Sequence, residues 1–302
     1  MMQWRQLGRF FGFGLMAVLL FKLDWQPLFD LLKQGQLEWL LLSVVVNTLF
    51  FVVKGVRWRL LLSMIQIHYP WRRAIPVYMA GSFLGAITPG RVADLVKASY
   101  LHQDLAIPYG QGIASVIMDR LLDLLVLAGM AVLVLALGVW GSQYWLAVVV
   151  FCGIVLLLLL VLWKLPAKLP FINKLGTTCQ LFYRPALLVP LLLSLLAYAL
   201  LYGGGFFLAK GIGLPVQFFQ VVYVMTLGNL VGILPLSIAG IGTRDLAMII
   251  LFQELNIPLV ESMAFSMGYL LSNLLLGNLP GCLYWFWQPV ERFIASPTGE
   301  KP

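Results

Sequence analysis

Runs of about twenty apolar residues recur along this chain, and no other feature limits its fold so strongly. A run of that length crosses the hydrocarbon of a bilayer as a helix, which satisfies its own backbone N–H and C=O groups where no water can. Full spans are expected at about 6–22, 37–54, 113–138, 144–163, 186–209 and 262–287. Arg5 and Arg9 precede the first, in the manner of a signal peptide. Lys22-Leu23-Asp24-Trp25 follows it instead of a small-residue cleavage site, so it reads as an uncleaved helix. Trp285 and Trp287 close the last span as interfacial anchors.

Composition points the same way. Of the 302 residues, 61% are hydrophobic and 11% are charged. Soluble domains lie near half apolar and a quarter charged, so a water-soluble core, intrinsic disorder and most cytosolic enzymes are excluded. The net charge of +8 is dispersed between apolar runs and forms no compact basic face, so it reads as orienting charge and not as a nucleic-acid surface. Cys152, Cys179 and Cys282 form no CxxC, and His68 and His102 stand in separate loops. No disulfide framework, metal site or cofactor is expected from them.

Two apolar segments are broken. Thr88-Pro89-Gly90 interrupts 74–101, and the stretch from Pro235 through Gly242 interrupts 218–254. Each piece is too short for a full crossing, so both read as re-entrant hairpins whose irregular backbone lies in protein or in a wet cavity. With both termini cytoplasmic, 13 Lys and Arg fall on the inner side, among them Lys54, Arg57 and Arg59, against 3 outside. Arg91, Lys97, Arg120 and Arg244 fall in or near the membrane. This layout opens the first hairpin inward and the second outward.

The breaks also resemble each other. Phe83-Leu84-Gly85-Ala86-Ile87-Thr88-Pro89 parallels Leu230-Val231-Gly232-Ile233-Leu234-Pro235, and each is followed by a basic and an acidic residue: Arg91 and Asp94, then Arg244 and Asp245. Paired interrupted segments of opposite orientation are the mark of an inverted-repeat transporter with its site between the breaks. Thr88 is expected to cap the first downstream half-helix with Pro89 at its first position, and Thr243 or Gly242 the second. Helix N-termini there suit an anion, Arg91 and Arg244 add bidentate donors for phosphate, and Gly90, Gly240 and Gly242 allow close backbone approach. Asp119, Arg120 and Asp123 share the adjacent span, with Arg120 and Asp123 expected to pair. Lys97 is expected to reach the cytoplasmic interface. The interior set, with four basic and four acidic members, balances to zero.

Thr88-Pro89-Gly90-Arg91-Val92-Ala93-Asp94, then Asp119-Arg120-Leu121-Leu122-Asp123, then Pro235 through Asp245, resemble in order and spacing the transmembrane region of lysylphosphatidylglycerol synthases and their stand-alone, flippase-like relatives. The likeness covers about residues 5–290. That family usually carries Gly-Glu at Ala93-Asp94 and Arg-Glu at Arg244-Asp245, so both acids are one methylene shorter here. About 15 residues follow the last span, which leaves no room for an aminoacyl-transferring domain.

The expected architecture is an all-α polytopic membrane protein with about six full transmembrane helices plus two re-entrant broken-helix hairpins in an inverted repeat. It forms one integral domain over 1–302, with halves at about 1–138 and 144–290. The resemblance implies lipid translocation, with a phosphate-bearing headgroup passing between the breaks in a bacterial plasma membrane. Arg91, Arg244, Thr88, Gly90, Gly242 and Thr243 would bind it, and Asp94, Asp119, Arg120, Asp123 and Asp245 would support them. No catalytic or nucleotide-binding motif is present. The alternatives are a membrane-embedded transferase acting on a lipid-linked substrate, with Asp94 or Asp123 as its acid, and a non-transporting partner of a membrane enzyme. A homo-oligomer is compatible with either.

Overall fold

A computed structural model describes residues 35–136, 187–233 and 243–290, with short pieces between 145 and 157. The expected span at 6–22, most of that at 144–163, both termini, and the second break with Gly240 and Gly242 lie outside the described residues. Among the described residues there is no strand. Among those residues three helices are long and apolar enough to cross a membrane: α1 (Leu37–Met64), α5 (Leu188–Gly211) and a composite Leu259–Trp287. The composite consists of α8 (Leu259–Tyr269), a π-helical turn (Leu270–Leu276) and α9 (Leu279–Trp287).

These helices are built inside out relative to a soluble protein. α1 buries Ser43, Asn47, Lys54 and Arg57, at steps of three, four or seven along one face, and exposes Leu41, Val45 and Leu49 on the other. α5 likewise buries Ser194 and exposes Leu192, Leu195 and Leu196. Polar groups inward and leucines outward make sense only where the solvent is hydrocarbon. The span expected to stop at Lys54 therefore continues to Met64, and Lys54 and Arg57 are interior groups, not cytoplasmic ones. Both leave the inner-side charge count.

Each broken segment folds as an antiparallel helical pair. The first is α2 (Trp71–Ala86), a 3-10 turn (Pro89–Leu95) and α3 (Val96–Leu105). The second is α6 (Phe218–Gly232) and α7 (Thr243–Glu254). Glycines let the limbs close. A Cβ at Gly81 would stand 2.6 Å from Lys97 Cγ, and one at Gly85 3.0 Å from Asp94 Cβ. In the second pair, a Cβ at Gly228 would stand 2.6 Å from Met248 Cγ, and one at Gly232 3.2 Å from Arg244 Cβ. The remaining helix, α4 (Tyr109–Ala136), is 28 residues long and carries Asp119, Arg120 and Asp123.

The elements recur in the same order. α2 and α6 start 147 residues apart, and so do the left-handed turns ahead of them at Gln66 (φ 65°) and Gly213 (φ 78°). α4 and α8 start 150 residues apart, preceded by left-handed Ala106 (φ 53°) and Asn256 (φ 60°). Those second turns close two matching octapeptides, Leu101-His102-Gln103-Asp104-Leu105-Ala106-Ile107-Pro108 and Leu251-Phe252-Gln253-Glu254-Leu255-Asn256-Ile257-Pro258. The change of offset places three extra residues in the second break. α1 and α5, which also correspond, pack antiparallel: Gln36 N–H donates to Gly211 O at 3.0 Å, Ser43 Oγ to Gly204 O at 2.8 Å, and Arg57 Nη1 to Ser194 Oγ at 2.8 Å.

Candidate functional site

The inward polar faces of α1 and α4 meet in an ionic lattice. Arg57, with no exposed surface, donates to Asp119 Oδ1 from Nε (3.0 Å) and Nη2 (2.5 Å), to Asp119 O (3.1 Å), and from Nη1 to Asp123 Oδ1 (2.8 Å) and Ser194 Oγ (2.8 Å). One guanidinium thus joins α1, α4 and α5, its fork geometry serving several acceptors at once. Lys54 Nζ pairs with the other oxygen of Asp123, and Tyr78 Oη donates to the other oxygen of Asp119 at 3.1 Å. Tyr198 Oη donates to Asp123 O at 3.2 Å.

The first hairpin ties into the same lattice through Asp94. Arg120 donates to Asp94 Oδ2 through Nε at 2.7 Å and through Nη2, and Lys97 Nζ lies 2.8 Å from Oδ1. Arg120 keeps its expected ion pair with Asp123, at 3.7 Å, and adds the closer bonds to Asp94. Two expectations are corrected by this geometry. Asp94 does not hold Arg91. Lys97 does not snorkel; it is fully buried, 4.2 Å from the Tyr78 ring centroid. A buried carboxylate needs more than one donor, and Asp94 takes one cation from its own hairpin, Lys97 three residues on, and a remote one, Arg120, from α4.

Thr88 precedes the 3-10 turn with Pro89 in its first turn, and its Oγ1 accepts the Ala93 N–H at 3.1 Å while donating to Gly85 O at 3.1 Å. The chain after the break is therefore not an α-helical N-terminus: seven 3-10 residues, Gly90 among them, come before α3. What the break presents instead is Arg91, in a left-handed conformation (φ 57°) that puts an exposed guanidinium against a cavity. Its side chain forms no hydrogen bond or ion pair with any described residue. In the second hairpin Thr243 opens α7, and Arg244 pairs with Asp245 Oδ1 at 3.0 Å over the Tyr269 ring, 4.9 Å to its centroid. Asp245 Oδ1 also accepts Ser266 Oγ at 2.8 Å.

The first break, through Thr88 and Arg91, and the described residues that flank the second, Gly232, Ile233 and Arg244, line one cavity of about 770 Å³ between the two hairpins. Lys54, Arg91, Asp94, Arg120, Asp123 and Arg244 line it together with Thr88, Asn229, Tyr269 and Asn273. Tyr78, Ser82 and Tyr198 also line it, and the rest of its wall is apolar, including Phe50, Val116, Leu121 and Leu127. Asp119 and Asp245 stand behind the wall as partners of lining residues. Among the described residues no group of three or more His, Cys, Asp or Glu could hold a metal.

Sequence reasoning missed Lys54, Arg57, Tyr78, Asn229, Tyr269 and Asn273. Lys54 and Arg57 continue the helical face of Ser43 and Asn47, and that spacing was the signal. Counting them changes the ledger: among the described residues six buried or cavity-lining basic groups (Lys54, Arg57, Arg91, Lys97, Arg120, Arg244) stand against four carboxylates (Asp94, Asp119, Asp123, Asp245), and the expected balance of zero becomes a formal surplus of two positive charges. The individually curated proteins give no match to the chain. The sequence model described as the lysylphosphatidylglycerol synthase TM region matches residues 7–281, and the chain belongs to that family of integral membrane proteins.

Proposed function

We propose that this chain is a lipid translocase of a bacterial plasma membrane, with both termini cytoplasmic, passing a phosphate-bearing headgroup through the cavity while the acyl chains stay in the bilayer. The observation that carries the reading is the cavity's lining: a cationic cluster with one unpaired arginine, continuous with an apolar wall. Arg91 and Arg244 would engage the phosphate, the one by direct bidentate donation, the other from its pair with Asp245. Thr88, Gly90, Gly242 and Thr243 would shape the breaks around it. The membership in a family named for a phospholipid enzyme's membrane region agrees with a lipid substrate.

We infer further that the two halves form an inverted repeat and that the antiparallel pairs are re-entrant hairpins. Helices related by an axis in the membrane plane must run antiparallel, as α1 and α5 do. Such halves can open the same cavity to either leaflet in turn. Chemistry is disfavoured as the primary role, because Asp94 and Asp123, the acids that face the cavity, are each held by two cations and present no free base.

The test is leaflet exchange of acyl-labelled phospholipids in proteoliposomes of the purified chain. Exchange is expected with the native sequence and is lost in Arg91→Ala. Exchange at the native rate in both Arg91→Ala and the double Arg91→Ala/Arg244→Ala variant overturns the assigned roles. Conversion of a labelled lipid to a new species would instead support the transferase reading.

A further inference from the structure

The charge arrangement speaks to which headgroup the cavity takes. This inference rests on the translocase reading for its physiological meaning but not for its test. Asp94 Oδ2 is bonded by Arg120, while Oδ1 is buried from the cavity 2.8 Å from Lys97 Nζ, an ion pair without hydrogen-bond geometry. Both oxygens of Asp119 are occupied, by Arg57 and Tyr78. Both of Asp123 are occupied, by Arg57 and Lys54. Asp245 Oδ1 is shared by Arg244 and Ser266. No cavity-facing carboxylate is left to receive an ammonium group, while Arg91 is unpaired and two positive charges stand in excess.

Beside the cations the cavity also has neutral polar groups. Asn229, Tyr269 and Asn273 line it, with Arg244 over the Tyr269 ring, and carry no charge at neutral pH. They are amide and phenol groups suited to hydroxyls. The bound group is therefore pictured as an anionic phosphate on Arg91 with a neutral, hydroxylated remainder against the amides and phenol.

We propose that the cavity selects anionic phospholipid headgroups without an ammonium, such as phosphoglycerol or a phosphomonoester, and turns away zwitterionic and aminoacylated ones. An ammonium brought in on the headgroup would meet the surplus cations with no counterion to replace its water. This differs from what the family's description alone would suggest, since a lysyl ester adds cationic charge to the headgroup. The asymmetry resides in this chain's own residues: the acids that could serve such a cation are already spent on Lys54, Arg57, Lys97 and Arg120.

The experiment is lipid binding to the full chain in detergent, read by native mass spectrometry, with phosphatidylglycerol, phosphatidate, phosphatidylethanolamine and lysylphosphatidylglycerol as probes. The two anionic lipids are expected to bind at least about tenfold more tightly than the other two. Arg91→Glu should weaken the anionic pair and strengthen lysylphosphatidylglycerol. Because Arg91 has no side-chain partner among the described residues, the variant is expected to fold, and Arg91→Gln provides a neutral check with an intermediate preference. Equal binding of phosphatidylglycerol and lysylphosphatidylglycerol by the native chain overturns the selection, as does a preference that Arg91→Glu leaves unmoved. Leaflet exchange on the same preparations separates the two ideas. Selective binding without exchange removes the translocase reading alone, and exchange of all four lipids at one rate removes the selection alone.

Discussion

Arg57 gives the sharpest test of how the site is held. Its guanidinium makes five hydrogen bonds, has no exposed surface and is the main counterion of Asp119. Replacing it by Met keeps much of the volume but leaves Asp119 with the Tyr78 hydroxyl alone, while Asp123 keeps Lys54 and the 3.7 Å pair with Arg120. Removing one partner of a buried pair costs about 3–5 kcal/mol, because the other charge is stranded. At roughly 2–4 °C per kcal/mol for a chain approaching this size, the apparent melting temperature should fall by about 6–20 °C. Replacing both members, as Arg57→Met/Asp119→Leu, strands no charge there, and a packed apolar pair is often as stable as the ion pair. Most of the loss should therefore return. The assay is survival of the monodisperse species on size exclusion after graded heating in detergent. A single-variant drop below about 3 °C refutes the anchoring role. So does a double variant that melts no higher than the single, since the loss would then come from packing and not from a stranded acid.

Gly81→Val should destabilise by about 1–3 kcal/mol, since even its Cβ would enter the space of Lys97 Cγ and push apart the limbs of the first hairpin; the same heating assay checks it, and no change would mean that the limbs part freely. Tyr69, in the loop between α1 and α2, is buried and donates to Asp104 at 2.6 Å, so burial first, and the neighbouring carboxylate after it, hold its phenol above the ordinary range. A raised folded value means stability complete below the unfolded value near pH 10 and lost as pH rises beyond it, by about 1.4 kcal/mol per pH unit. Tyr69→Phe should flatten that alkaline loss, measured as melting temperature from pH 9 to pH 11.

The helices were legible because hydrocarbon allows a lone segment almost nothing else, and the breaks because proline and glycine interrupt an apolar run in few ways. The pairing of charges was not. Asp94 lies three residues from Arg91 yet binds Arg120, 26 positions on, and Lys97, because folding α2 against α3 turns its carboxylate toward α4. Lys54 and Arg57 were read as cytoplasmic because a charge at the end of an apolar run looks like the end of the span. Only the continued helical face, Ser43 to Asn47 to Lys54 to Arg57, says otherwise. The matching octapeptides at 101–108 and 251–258 were also in plain view. A comparison anchored on Gly85 and Gly232 fixes a single offset of 147 and cannot reach them, because three residues are inserted between that glycine and the octapeptide of the second half.

The recurrence of backbone without recurrence of charge bears on how the two break arginines should be interpreted. At the later offset, Asp119 corresponds to Tyr269, Arg120 to Leu270 and Asp123 to Asn273. The first half thus holds the ionic lattice, and the second places neutral groups in the matching positions. Sequence motifs make Arg91 and Arg244 look equivalent, but their surroundings differ. Arg244 is already paired with Asp245 and stacked on Tyr269, so deleting it leaves Asp245 to find another donor and changes the net charge and the local pairing at once. Arg91 has no side-chain counterpart to strand, and its left-handed backbone is a conformation that non-glycine residues adopt at a cost. Arg91→Gly would relieve that backbone while removing the guanidinium, so a fall in lipid binding with no fall in melting temperature can come only from the lost side chain. A residue kept strained and unpaired at the mouth of a cationic cavity is what a ligand contact requires and what a structural contact avoids.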